Sequence, residues 1–294
     1  MPTAFLQPKT YQAFRNMELL ARSVVDGFIT GLHRSPFKGF ALEFAEHRQY
    51  VPGDDLRHLD WKLLGKLNRY YVKQYEEDTS LRAYLVVDTS GSMGYADGQL
   101  SKLDYARYTA AVLSYLLLQQ KDSVGLAICN RELETFLPPR STRTHFRLLI
   151  NTLQEAGHGD ETKLADVLHH LALRIKRRAL IIIISDLFDD PDKISLALNH
   201  FAHKKHEIII LRTLANREKT FTFNSPTRFE GLESNDFREI DPRIIRKEYL
   251  RQFEEHRNKI RETCFARRID YTEFLTDQPF EKTIARYLVE RMKR

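Results

Sequence analysis

From Leu81 onward, apolar runs of strand length alternate with segments whose apolar residues recur at helical spacing. Leu81 to Val87 predicts a strand. Leu103, Ala106, Ala110, Leu113 and Leu117 then share one face of a helix, which Ser101 opens and Asp104 closes into a capping box. Ser123 to Asn130 and Leu133 to Leu137 read as strands. Phe146, Leu149, Ile150 and Leu153 mark a helix stopping before Gly157, and Leu164, Leu168, Leu171 and Ile175 mark another. Ala179 to Ile184 is unbroken apolar sequence, which suits a strand covered on both faces of a parallel sheet. Asp190 reads as an N-cap with Pro191 at the first helical position. Ile208 to Leu211 and Ile269 to Leu275 predict further strands, and Phe280 to Met292 a closing helix.

This alternation predicts an α/β fold with a doubly wound, mostly parallel sheet of Rossmann type. It occupies residues 79–294, with a polar insertion near 217–238 that has the character of a hairpin. Arg243 to Cys264 alternates in charge and predicts a solvent-facing helix with local ion pairs. Residues 1–78 follow a different grammar. Thr10 to Asp26 predicts an amphipathic helix, and Gly27 to Tyr75 an irregular subdomain dense in charge and aromatic residues.

Composition narrows the functional classes. Hydrophobic residues at 42% and charged residues at 29% describe an ordinary globular chain. No apolar run approaches the roughly 20 residues that cross a bilayer, and Met1 to Thr10 lacks a signal-type apolar core. A cytoplasmic location is expected, and two cysteines, Cys129 and Cys264, fit a reducing compartment. The net charge of +6 is spread beside acids rather than gathered into a nucleic-acid motif. An attraction to acidic partner proteins is an equal use for it.

The chemistry concentrates where two predicted strands end on aspartate. Asp88 is followed by Ser90 and Ser92, and Asp186 follows the strand Ile181 to Ser185. In open parallel sheets ligands bind beyond the carboxyl ends of the strands. If the two strands are neighbours, both carboxylates face one crevice with the two hydroxyls. Thr162, opening a helix after a glycine-containing loop, supplies a third hydroxyl, with Thr144 as the fallback. An all-oxygen set selects a hard ion, Mg²⁺ or else Mn²⁺ or Ca²⁺. Neutral hydroxyls leave that ion electrophilic and able to accept a guest carboxylate.

Other chemistries are weaker. Ser90-Gly91-Ser92-Met93-Gly94 resembles a nucleophile elbow without its first glycine, but leaves Asp88 and Ser90 unused. His200, His203 and His206 recur every third position without an acid or thiol to complete a zinc set, and read as a solvated helix face. Cys129 reads as core. No phosphate-binding G-x-x-x-x-G-K-[ST] loop is present. A metal-dependent phosphoester hydrolase would need a general base or nucleophile near the ion, and none stands out. No catalytic residue is assigned.

Residues 81–214 resemble a von Willebrand factor A domain, with Asp88, Ser90, Ser92, Thr162 and Asp186 matching its metal-ion-dependent adhesion site. Arg48-Gln49-Tyr50-Val51-Pro52-Gly53-Asp54-Asp55-Leu56-Arg57-His58-Leu59-Asp60-Trp61 is similar to the signature of the family called domain of unknown function 58. The resemblance implies a bacterial, non-enzymatic adaptor that works beside a MoxR-type AAA+ ATPase and uses metal to complete a partner contact. One departure stands out: Asp160-Glu161 precede Thr162 where the fold usually carries glycines. The charged motif from Arg48 to Arg69 reads first as a paired-charge network fixing the irregular subdomain, and second as a recognition surface.

Overall fold

The structure, a computed structural model, describes residues 17–31, 44–49, 65, 70–75, 81–98, 100–157, 159, 163–232 and 236–292. Contacts divide the chain into two compact units, Phe37–Leu81 and a larger one formed by Met1–Pro36 with Arg82–Arg294. In the smaller unit β1 (Phe44–Gln49) pairs antiparallel with β2 (Tyr71–Tyr75), Gln49 opposite Tyr71, with a bulge between Phe44 and Glu46. Of the motif running from Arg48 to Trp61, only Arg48 and Gln49 fall within the described residues.

The larger unit is built on a six-stranded sheet. Its strands are β3 (Arg82–Asp88), β4 (Ser123–Cys129), β5 (Leu133–Arg140), β6 (Leu180–Ser185), β7 (Glu207–Leu214) and β10 (Asp270–Leu275). The order is β10-β7-β6-β3-β4-β5, parallel throughout except for β5, which runs antiparallel to β4 at one edge. The expected doubly wound, mostly parallel α/β sheet is therefore present. Every residue of β6 is buried, as its isoleucine run requires of a strand covered on both faces.

One face is covered by α2 (Lys102–Gln119), on which α1 (Met17–Gly31) and α3 (Arg143–Glu155) pack. The capping box of Ser101 and Asp104 opens α2 as expected. On the opposite face, α4 (Leu164–Arg174), α5 (Pro191–His203) and α7 (Pro242–Ala266) close over Ile181, Ile183, Ile208 and Ile210. The polar insertion holds a short α6 (Asn216–Thr220) and the expected hairpin, β8 (Thr227–Glu230) with β9 (Phe237–Ile240). Helix α7 carries the expected ion pairs, Arg251 with Glu248 and Glu255, but anchors itself through buried Phe253, Ile260 and Cys264. Helix α8 (Phe280–Met292) returns to α2, Phe280 meeting Tyr105 edge-on at 5.3 Å. No described helix is long and apolar enough to cross a membrane.

Candidate metal centre

The strand order reverses between β3 and β6. From β3 the chain runs outward through β4 and β5, then crosses back to β6 and continues the other way. Beyond the carboxyl ends of these two strands the outgoing connections diverge and open a crevice. Asp88 closes β3 and Asp186 follows β6, so both carboxylates reach that crevice. Val87 pairs with Ile184, which brings Ser185 against Asp88.

The Asp88 side is held by neutral donors. Asp88 Oδ1 accepts the Ser90 amide at 2.9 Å, and Oδ2 accepts the Ser185 hydroxyl at 2.6 Å. Ser185 Oγ in turn accepts the Leu187 amide at 2.8 Å, and Leu187 takes a left-handed backbone, φ 57°. Thr89 turns away and gives its amide and hydroxyl to the Cys129 carbonyl. Ser90 then caps a 3₁₀ turn, Gly91–Gly94, anchored by fully buried Met93. The turn brings Ser90 Oγ and Ser92 Oγ to 3.2 Å.

The Asp186 side is held by a cation. Asp186 Oδ1 accepts the Phe188 amide at 3.1 Å, while Oδ2 accepts the Lys102 ammonium at 2.7 Å. Lys102 is the first residue of α2, is fully buried, and donates also to Glu218 Oε1 at 2.5 Å. Glu218 is fixed by the Ala215 amide on its Oε2, at 2.8 Å. Arg212, equally buried, donates Nε to the Asp186 backbone carbonyl at 2.8 Å.

Burial, and next the Asp186 carboxylate, push Asp88 up to about 6, against the downward pull of the Ser185 and Ser90 hydrogen bonds. Burial opposes the charge on Lys102, but Asp186 and Glu218 outweigh it and hold the ammonium above its ordinary value. Burial raises Glu218 more than Lys102 lowers it. Around the crevice stand Asp88, Asp186 and Glu218, with the Lys102 ammonium shared by Asp186 and Glu218. A hard divalent cation fits this donor set and would meet the Asp88 carboxylate, which has only neutral donors among the described residues. Asp88, Ser90 and Ser92 would hold it, and Asp186 would contribute from its Lys102-paired position.

The structure thus brings together four of the five sequence-predicted ligands: Asp88, Ser90, Ser92 and Asp186. Thr162 lies outside the described residues. Gly159, three positions earlier, donates its amide to the Thr89 carbonyl at 2.7 Å, and a Cβ there would come within 2.6 Å of Asn130 Cβ. The fallback Thr144 is at the wrong end of the sheet, because its neighbour His145 meets the Val124 carbonyl at the start of β4. The histidine series is not wholly solvated either: His206 is buried and accepts the Ala179 amide on Nδ1 at 3.1 Å. Cys129 is buried, and burial foremost drives its thiol well above the ordinary range. Among the described residues, no group of three or more His, Cys, Asp or Glu is arranged to hold a metal ion, so a cation in the crevice would depend on the serine hydroxyls as well as the aspartates. Lys102 and Glu218 escaped the sequence reading. A signal existed, since a lysine at the first position of a helix opposes the helix dipole and needs another reason to be there.

Comparison with known proteins gives these likenesses. "Uncharacterized protein Rv1480" of Mycobacterium tuberculosis is 28% identical over 291 residues, covering 97% of this chain and 91% of that one. The crystal structure of the conserved hypothetical protein BatB from Bacteroides thetaiotaomicron is 17% identical, with a TM-score of 0.48, over 73% of this chain and 100% of that one. The SpRpn10 VWA domain is 10% identical, with a TM-score of 0.41, over 70% of this chain and 94% of that one. Residues 46–259 match the family model described as "Protein of unknown function DUF58", and the chain belongs to that family.

Proposed function

We propose that this chain is a metal-dependent protein-interaction module, an adaptor rather than an enzyme. Asp88, Ser90, Ser92 and Asp186, joined by Thr162, hold Mg²⁺ (or Mn²⁺ or Ca²⁺) in the manner of a metal-ion-dependent adhesion site. The ion, when bound, supplies a Lewis-acidic position that a glutamate or aspartate of a partner can fill. The observation that carries this reading is the convergence of two buried aspartates with a pair of serine hydroxyls 3.2 Å apart, at the one place where strand order reverses.

The charge balance supports it. The Lys102 ammonium is shared by Asp186 and Glu218, while Asp88 has only neutral donors, so a divalent ion beside Asp88 and the two serine hydroxyls keeps positive charge to spare. A guest carboxylate is drawn to that charge in a buried site, where such attraction is strong. Family resemblance supplies the partner class, a MoxR-type AAA+ ATPase working in the cytoplasm on protein assembly or remodelling.

The test is association of the purified chain with that ATPase in Mg²⁺ and in EDTA. The reading expects binding in Mg²⁺, its loss in EDTA, and its loss in Asp88→Ala and Ser90→Ala. Binding that ignores both the chelator and the substitutions contradicts it.

A further inference from the structure

We infer that the crevice is half of a two-part site, whose second half takes an aromatic or large aliphatic side chain one or two positions from the guest carboxylate. The inference deepens the metal-bridged reading and rests on it. It starts from a cavity of about 420 Å³ that shares Ser92 and Glu218 with the crevice. That volume lies within the range of roughly 300–1,000 Å³ that ordered ligand groups occupy.

The insertion builds its walls. Phe221 stacks on Tyr249 at 4.2 Å, Phe229 lies parallel to Phe221 at 5.8 Å, and Phe223 meets Phe229 edge-on at 5.2 Å. Phe221 caps α6 in the left-handed region, φ 48° and ψ 48°. A bulky residue there is strained, so the conformation persists because surrounding contacts hold it. Phe223, Phe229 and Tyr249 stay partly exposed. Among the described residues this ring cluster does not close on itself but leaves a hollow.

The lining also dictates what enters. Its charged groups are already matched: Glu218 by Lys102 at 2.5 Å, Glu230 by Arg228 at 3.0 Å, and Arg217 by Asp97 at 2.9 Å. An uncharged apolar group therefore suits the hollow better than a second acid. Glu218 ties the halves together, since its carboxylate grips Lys102 while its backbone carbonyl accepts the Tyr249 hydroxyl at 2.9 Å. A partner carboxylate at the ion consequently arrives beside an aromatic hollow. The occupant that satisfies both is a peptide segment carrying an acid with a bulky apolar neighbour.

Fluorescence anisotropy with labelled short peptides tests this on the full chain in Mg²⁺. The series is glycine-flanked Asp-Phe, Asp-Gly-Phe, Asp-Ala and Asn-Phe. The better-spaced aspartate–phenylalanine peptide is expected to bind roughly tenfold or more tightly than Asp-Ala, from burial of the ring. Phe223→Ala, on a partly exposed loop, is expected to erase that gap. Equal Mg²⁺-dependent binding of Asp-Ala and both phenylalanine peptides overturns the two-part site and leaves the metal-bridged contact standing. Equal binding of Asp-Phe and Asn-Phe, unchanged in EDTA, removes the metal-bridged contact and the two-part site with it. Failure of both aspartate–phenylalanine peptides to bind overturns the two-part site. The peptide series on the unsubstituted protein does not depend on any variant folding.

Discussion

Two aspartates end adjacent strands of one sheet, yet their surroundings differ. Asp88 receives a backbone amide and a serine hydroxyl, all neutral donors. Asp186 receives an ammonium that is itself fully buried. Burial, and next the Asp186 carboxylate, raise Asp88 to about 6 despite those hydrogen bonds, and no cation among the described residues pairs with it. The Asp186 side carries its counter-ion within the fold. The difference teaches that the two walls are balanced in different ways: Lys102 supplies a counter-charge to one from within the fold, and the other has only neutral donors.

Breaking the fixed wall should have the largest effect. Lys102→Met leaves Asp186 and Glu218 buried without their ammonium, and the loss expected from such a half-broken buried pair is about 3–5 kcal/mol. Urea unfolding in EDTA measures it. Addition of Mg²⁺ should recover more stability in this variant than in the original chain, because the ion then meets two unmatched aspartates.

Asp88→Asn should act in the opposite direction. Its folded value lies above the ordinary carboxylate value of 3.8, so the stability it contributes is full below that value and is lost as pH rises through about 6. The neutral amide escapes that loss. In EDTA the variant should match the original chain near pH 4 and exceed it at neutral pH by roughly 3 kcal/mol at most. The difference between the two proteins is the required readout, because His145 and His206 tilt both baselines. Burial lowers both imidazoles, so their stability is present above the unfolded value near 6.5 and is lost as pH falls through the folded values.

Metal removal should separate the walls further. A ligand at a hundred times its dissociation constant stabilises by about 2.7 kcal/mol. Saturating Mg²⁺ should therefore raise the thermal midpoint of the original chain and leave Asp88→Ala unmoved. Ser92→Ala should be the mildest change. Its hydroxyl is partly exposed, so the metal-free fold should shift by less than about 1 kcal/mol while Mg²⁺ affinity falls.

Much of this was legible in the sequence because its signals are local. The isoleucine run of β6, the Ser101–Asp104 capping box and the Asp190–Pro191 helix start each announce an element within a few residues. Asp88 and Asp186 were legible for a related reason, since a carboxylate ending an apolar strand marks the functional edge of a parallel sheet. Lys102 was not, because its partners lie 84 and 116 positions away and only the tertiary fold joins them. Glu218 sat in a polar stretch whose composition suggested a plain insertion. His206 was misjudged because helical periodicity extends to it, whereas the chain leaves α5 at His203 and turns it inward. The antiparallel direction of β5 also had no local signature, as a short alternating strand reads the same both ways.

The most direct test is anomalous scattering from crystals grown with Mn²⁺. The account predicts a single strong peak within coordination distance of the Asp88 carboxylate and the hydroxyls of Ser90 and Ser92, with Lys102 still bound to Asp186. A crevice without a peak at saturating Mn²⁺, or a peak held by other residues while Asp88 keeps only its serine partners, would contradict it.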